Sequence, residues 1–342
     1  MPRGIIIDTD PGVDDALALL LALRSPELLV EAITVVSGNV HIDLCVENTF
    51  RILDAAGISQ RPPVARGCAR PLERDPVEAA HVHGDDGLGQ ITKIRESDGR
   101  PRYPAPAIDP AGRHAVDVIL DLIGDHPGQI SIVALGPLTN IATAIRKDAA
   151  TMRQVQELIV MGGSFNGQGN VTPVAEFNFY ADPEAARVVV QSGINLTVVG
   201  LDVTHRTILP RKALPREELP RKALPQKELP GKEFAKRPRT AADGYSRFLR
   251  DVTANWFDFA EGCRLDGAYL HDPLAMGVAI DPSFVRTETF LADVETSGDL
   301  TQGMVVTDRR GVAKVETGSP IRGCVEVDAE RFVSFFLSRL AG

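Results

Sequence analysis

Short apolar runs rich in β-branched residues alternate with helical apolar spacing along most of this chain. Gly4–Ile7 is the first run. After the polar turn Asp8-Thr9-Asp10-Pro11-Gly12, the positions of Val13, Ala16, Leu17, Leu20 and Leu21 take up helical spacing. Leu28–Val36 reads as a second strand ending in Ser37-Gly38-Asn39. His41–Ala56 reads as a helix with Leu44, Phe50, Ile52 and Leu53 as apolar contacts, and Pro62–Ala65 as a short third strand. Residues 67–113 hold much Gly, Pro, Asp and Arg with little periodicity, which predicts a long excursion of loops. Alternation then resumes with a helix over Ala115–Ile123, a strand over Ile130–Leu135, a helix over Ile141–Lys147 and a strand over Glu157–Met161. An irregular polar stretch, 164–181, precedes a helix over Pro183–Ser192, with Asp182 as N-cap and Pro183 at its first position, and a strand over Asn195–Gly200. Ala241–Gly262 is a long amphipathic helix carrying Tyr245, Phe248, Val252, Trp256 and Phe259. Another helix runs through Ile280, and Asp328–Leu340 closes the chain. Phe290–Val294, Met304–Thr307 and Gly323–Val327 read as strands of an edge or accessory sheet.

Strands and helices alternating at this spacing predict an α/β fold: a doubly wound, mostly parallel sheet with helices on both faces, plus a small accessory β region near the C-terminus. No domain boundary stands out, so residues 1–342 are expected to form one domain. The one interruption is 209–233, five tandem pentapeptides reading LPRKA, LPREE, LPRKA, LPQKE and LPGKE. A proline every five residues forbids a continuous helix and removes donors that a sheet needs. The unit is too short for a stacked repeat array, so a solvated loop insertion is expected.

Composition narrows the function classes. The net charge of −9 gives no global field for nucleic acid or anionic lipid, so neither partner is expected. No apolar run approaches the ~20 residues of a membrane span, and the N-terminal stretch lacks a basic and apolar signal. Cys45, Cys68, Cys263 and Cys324 are scattered without a CxxC pair, which argues against a thiolate zinc site. A cytoplasmic protein with reduced thiols is the expectation.

Candidate chemistry concentrates in five polar clusters, most of which follow a strand or open a helix. Asp8, Asp10, Asp14 and Asp15 crowd the first turn. Capping accounts for one or two of them, and the free N–H groups of one helix end cannot neutralise four. Several carboxylates at the carboxyl end of a parallel strand fit a hard cation held by oxygens, at the edge where open α/β sheets bind ligands. The other clusters are Asn39, His83–Asp86, Asn170–Asp182 and His271-Asp272. Glu176 and Asn178, with Asn170, offer a carboxylate and two amides that suit a small polyol such as a sugar. Turn chemistry explains Asn170 about as well. His41, His114, His126 and His205 read as ordinary surface or core histidines. His271 differs by abutting Asp272 at a helix start, and His83 lies in a Gly-flanked loop.

Taken together, the motifs DTDPGVDDALAL at 8–19, SGN at 37–39, GPLTNIA at 136–142, MGG at 161–163, GNVTPVAEFNFYADPEAA at 169–186 and HDPLA at 271–275 make the chain resemble the calcium-dependent nucleoside hydrolases of the inosine–uridine-preferring type. The resemblance implies hydrolysis of ribonucleoside N-glycosidic bonds on a nucleoside hydrolase-like fold. It implies Ca²⁺ held by Asp10, Asp15, Asp272 and the backbone carbonyl of Leu135. Asp10 would be the general base that takes a proton from calcium-bound water. Asp14, Asn39, Asn170, Glu176 and Asn178 would grip the ribose, and His83 and His271 would face the base, with His271 taken as the catalytic histidine and the main leaving-group acid left between the two. A small-molecule ribonucleoside substrate and a homo-oligomer, dimer or tetramer, are further implied. The pentapeptide segment departs from the family's pattern. Two rival readings remain at this level. IIIDTD also fits a haloacid-dehalogenase-like phosphatase, with Asp8 as nucleophile and Asp10 as acid/base, but that leaves Asp14-Asp15, the Asn/Glu/Asn segment and HDP unexplained. A catalytically silent nucleoside-binding protein would be expected to carry a damaged first motif, and here it is intact.

Overall fold

Ile5, Ile6 and Ile7 are fully buried in succession, because their strand is covered on both faces. The computed structural model describes residues 2–58, 60–108, 112–213, 241–310 and 318–341. Within them Arg3–Thr9 forms β1, Leu28–Val35 β2, Val64–Arg66 β3, Ile130–Ala134 β4, Glu157–Met161 β5 and Leu196–Val199 β6. Ile208–Pro210 forms β7, Gly267–Tyr269 β8, Val285–Val294 β9, Val305–Asp308 β10 and Ser319–Val327 β11. The main sheet runs in the order β10-β9-β11-β6-β5-β4-β1-β2-β3. From β3 to β6 all pairs are parallel, and β11 joins β6 in parallel. β9 pairs antiparallel with both β11 and β10, so the C-terminal strands form one edge of the same sheet.

The period of two divides the core. Ile5, Ile7, Val133, Leu135, Ile159 and Met161 face one side, under the helices Val13–Leu23, Ile42–Ala56, Ala241–Gly262, His271–Ile280 and Ala329–Ala341. Ile6, Ile132, Ala134, Leu158 and Val160 face the other, under Ala115–Asp125, Thr139–Lys147 and Pro183–Val190. Burying each such aliphatic side chain contributes roughly 1.5–3 kcal/mol before the entropy of ordering is counted. Asp182 caps the helix Pro183–Val190 as its sequence predicts, accepting from Ala185 N at 3.0 Å, with Pro183 opening the helix.

Two sequence expectations shift. In the 67–113 excursion, Ala80–His83 is a single helical turn. The loop after it winds around Asp86, whose carboxylate accepts from the backbone of Leu88, Gln90 and Thr92. The first pentapeptide belongs to the fold: Leu209 is fully buried in β7, which pairs with β8, and Arg211–Ala213 forms a short 3-10 turn. The remainder of the repeat, 214–233, lies outside the described residues. No helix among the described residues is long and apolar enough to cross a membrane.

Candidate active site

The parallel strands end together, and the polar clusters sit at that edge. β1 delivers Asp8 to Asp10, and the helix Val13–Leu23 then starts at Gly12 rather than at an aspartate. Asp15 closes that start by accepting from Gly12 N at 2.9 Å through Oδ2. Its other oxygen accepts from Thr9 Oγ1. Asn39, after β2, clamps the cluster. Its backbone N–H donates to Asp10 Oδ2 at 2.7 Å, and its amide donates to Asp15 Oδ2 at 3.1 Å and to the Asp10 carbonyl at 3.2 Å. Gly38 and Gly136 flank Asp10, where a methyl on either would overlap its carboxylate. Asp272 arrives from the start of the helix His271–Ile280, which packs beside Val13–Leu23.

One oxygen each of Asp14, Asp15 and Asp272 lies within 4.8 Å of the others, all buried. Asp10 is beside them, 1% exposed, and its Oδ1 has no hydrogen-bond partner among the described residues. Burial and then repulsion from Asp15 push Asp10 and Asp14 up, Asp14 to about 8. Burial and repulsion from Asp14, Asp15 and Asp10 push Asp272 well above the usual carboxylate range. Such a set is costly without a cation, because like charges this close and this dry cannot all ionise. Hard carboxylate oxygens, one of them orphaned, fit a divalent metal bound by oxygen. The tightest trio includes Asp14, whereas the family resemblance gives that place to Asp10.

Above the carboxylates is a cavity of about 280 Å³. Asp14, Asn39, His83, Leu135, Asn170, Glu176, Asn178, His271 and Asp272 all line it, so nearly every side chain singled out in the sequence converges here; Asp10 and Asp15 lie beneath. Glu176 caps the turn Phe177–Ala181. Its Oε1 accepts from Asn178 N at 2.9 Å, and its Oε2 from Gly163 N at 2.9 Å and Phe179 N at 3.2 Å. Burial raises it to about 7 against those three donors. Asn178 donates to the Leu135 carbonyl at 2.6 Å and the Met161 carbonyl at 3.2 Å. Exposed Asn170 closes its own loop by accepting from Phe177 N at 3.0 Å. His83 accepts from Val13 N at 3.1 Å and stands 4.0 Å from Asp14. Burial lowers it to about 4. His271 meets Thr204 Oγ1 through Nδ1 at 2.8 Å. Burial, with His205 and His83 nearby, lowers it to about 3.

The far wall is aromatic, with Trp256 and Phe259 from the long helix, Tyr269 from β8 and His205 after β6. The sequence marks Trp256 and Phe259 only as apolar positions and reads His205 as an ordinary surface or core histidine, whereas it lines the cavity. His205 lies 4.6 Å from the Tyr269 ring and 5.7 Å from His271. The available signal was its place just beyond a parallel strand. Asp8, the nucleophile of the phosphatase reading, is fully buried, accepts from Thr34 and Asn140, and does not line the cavity.

The family model described as inosine-uridine preferring nucleoside hydrolase matches residues 5–334. The chain belongs to that family. As a nucleoside hydrolase it is an enzyme that cleaves the N-glycosidic bond of ribonucleosides, which removes the phosphatase and the silent binding protein as readings. It is 38% identical over 311 residues to an inosine-uridine preferring nucleoside hydrolase of Leishmania major, covering 91% of this chain and 89% of that one. It is 36% identical over 343 residues to a pyrimidine-specific ribonucleoside hydrolase, RihA, of Photobacterium profundum, covering 100% and 99%. Among solved structures, a plant nucleoside hydrolase, PpNRh1, superposes with a TM-score of 0.83 at 33% identity over the full length of both chains. The fold of this nucleoside hydrolase is therefore the family's fold.

Proposed function

We propose that this hydrolase works with Ca²⁺ held by Asp10, Asp15, Asp272 and the Leu135 carbonyl, and that Asp10 is its general base. The observation that carries the reading is the unpartnered Asp10 Oδ1, buried among three further carboxylates beneath a cavity lined by carboxylate, amide and imidazole side chains. When bound, a divalent cation lowers the pKa of water and polarises the ribose hydroxyls. Asp10 takes a proton from the water that attacks C1′, and Asn39 holds the carboxylate in place through its other oxygen. Asp14, Asn39, Asn170, Glu176 and Asn178 grip the ribose: the carboxylates accept from hydroxyls, as do the Oδ1 atoms of Asn39 and Asn178, whose amide protons are already engaged within the protein, and the Asn170 amide donates. As the C1′–N bond breaks, its electron pair leaves with the base and the ribose gains oxocarbenium-like positive charge. The buried carboxylates stabilise that charge in a site largely closed to water. His83 and His271 face the base, and His271 offers a ring N–H to the nitrogen that gains the electron pair.

Uridine is the substrate on which the two kinds of relative agree, since one prefers inosine and uridine and the other is specific for pyrimidines. The protein is expected to release ribose from uridine, and a panel with inosine, cytidine and adenosine reads its preference. Asp10→Asn should lower uridine turnover by about 10³-fold or more with far-UV circular dichroism unchanged. Turnover close to wild type would overturn the assignment of the base.

A further inference from the structure

We infer that Thr204 is a positioning residue that fixes the tautomer of His271, so that the neutral ring presents Nε2–H to the departing base. The inference rests on the proposed role of His271 and adds the group that sets it. Thr204 ends the short helix Leu201–Thr204, which follows β6 and opens at Gly200. It is fully buried. Its hydroxyl has one hydrogen-bond partner among the described residues, Nδ1 of His271 at 2.8 Å.

The direction of that bond follows from counting donors and acceptors. A buried hydroxyl proton needs an acceptor, and leaving it without one costs about 1–3 kcal/mol. If Nδ1 carried the ring proton, it would donate to Oγ1 and the Thr204 proton would have no acceptor among the described residues. If Thr204 donates to Nδ1, both groups are satisfied. The second arrangement makes Nδ1 an acceptor and places the ring proton on Nε2. The rings of His205 and Tyr269, each 5.7 Å from His271, wall the imidazole on its flanks. His271 lines the cavity, so its remaining nitrogen is the one available to a ligand there. The hydrogen bond from Nε2–H to the base nitrogen strengthens as negative charge builds on the base. No bond within the protein has to break for it to act.

A merely structural threonine would affect all substrates alike, whereas this role depends on the leaving group. Thr204→Val keeps the shape and removes the hydroxyl, and Thr204→Ser restores it. On uridine, Thr204→Val should lower kcat by about 10- to 100-fold with KM changed less than about 3-fold, a part of the ~10²–10⁴ that acid assistance supplies. On a nitrophenyl riboside, whose leaving group needs no assistance, the loss should stay under about 3-fold. Thr204→Ser should recover most of the uridine rate. His271→Ala, measured beside them, separates the two ideas. A leaving-group-dependent loss in His271→Ala with an even loss in Thr204→Val overturns the Thr204 inference and leaves His271 standing. An even loss in both overturns the leaving-group role itself. Nitrogen-15 NMR of the metal-loaded protein should show His271 as the Nε2–H tautomer in wild type and a mixture in Thr204→Val. An Nδ1–H tautomer in wild type would overturn the inference directly.

Discussion

Glu176 pays in stability for what it offers the sugar. Its two oxygens take three backbone N–H bonds, yet burial still lifts its carboxyl from an ordinary 4.5 to about 7. Between those values the folded state holds the proton more tightly than the unfolded chain does. Its contribution to stability is therefore full below about pH 4.5 and is lost as pH rises through about 7. The same ionisation makes the group a pure acceptor for a ribose hydroxyl. Denaturant titrations of wild type and Glu176→Gln in chelator, from pH 4 to 8, should show wild type losing stability relative to the variant across that window and no further change above it. A pH-independent difference would contradict this account. At this scale much of the site is visible in sequence, because carboxylates and amides clustered after strands are rare unless something binds them. His205 and Thr204 escape notice because a lone histidine or threonine after a strand has many ordinary explanations. Only the ring packing and the single hydroxyl partner distinguish these two.

Among the elements, the parallel strands are legible because β-branched runs buried on both faces leave a continuous apolar signal. The C-terminal strands are harder to place, since β9 has few buried positions and β11 joins the parallel sheet through β6, far earlier in the chain. The repeat segment shows how composition can mislead. LPRKA at 209–213 looks like its neighbours, but Leu209 is buried and β7 braces β8, two residues before His271. A strand pair of three residues each is enough to fix where the chain enters the site. Leu209→Ala should cost about 2–5 kcal/mol by chemical denaturation, as for other fully buried leucines. The chemically identical change at Leu214, the start of the next unit, provides the comparison. Equal small effects at both positions would place the first unit outside the fold's support.

For the molecule as a whole, the site is the point where like charges are concentrated. Asp10, Asp14, Asp15 and Asp272 are all buried at one edge of a nine-stranded sheet. A cation that binds the folded state alone stabilises it by RT ln(1 + [L]/Kd), about 2.7 kcal/mol at a hundred times Kd. Calcium added to chelator-treated protein at pH 8 should therefore raise the melting temperature by several degrees and restore uridine hydrolysis. Asp272→Asn should blunt both effects, although it lies more than 250 residues from Asp10. A melting temperature indifferent to calcium would count against a cation site in this cluster.

That separation along the chain bears on how the enzyme comes into being. Asp272 is made more than 250 residues after Asp10. β1 cannot settle between β2 and β4 until residue 134 exists, and the helix carrying Asp272 must then dock beside the one carrying Asp14 and Asp15. A chain still being synthesised, or one cut short before residue 272, lacks one of the four clustered carboxylates. On the proposed ligand set, such a truncated product should neither gain stability from calcium nor hydrolyse nucleosides.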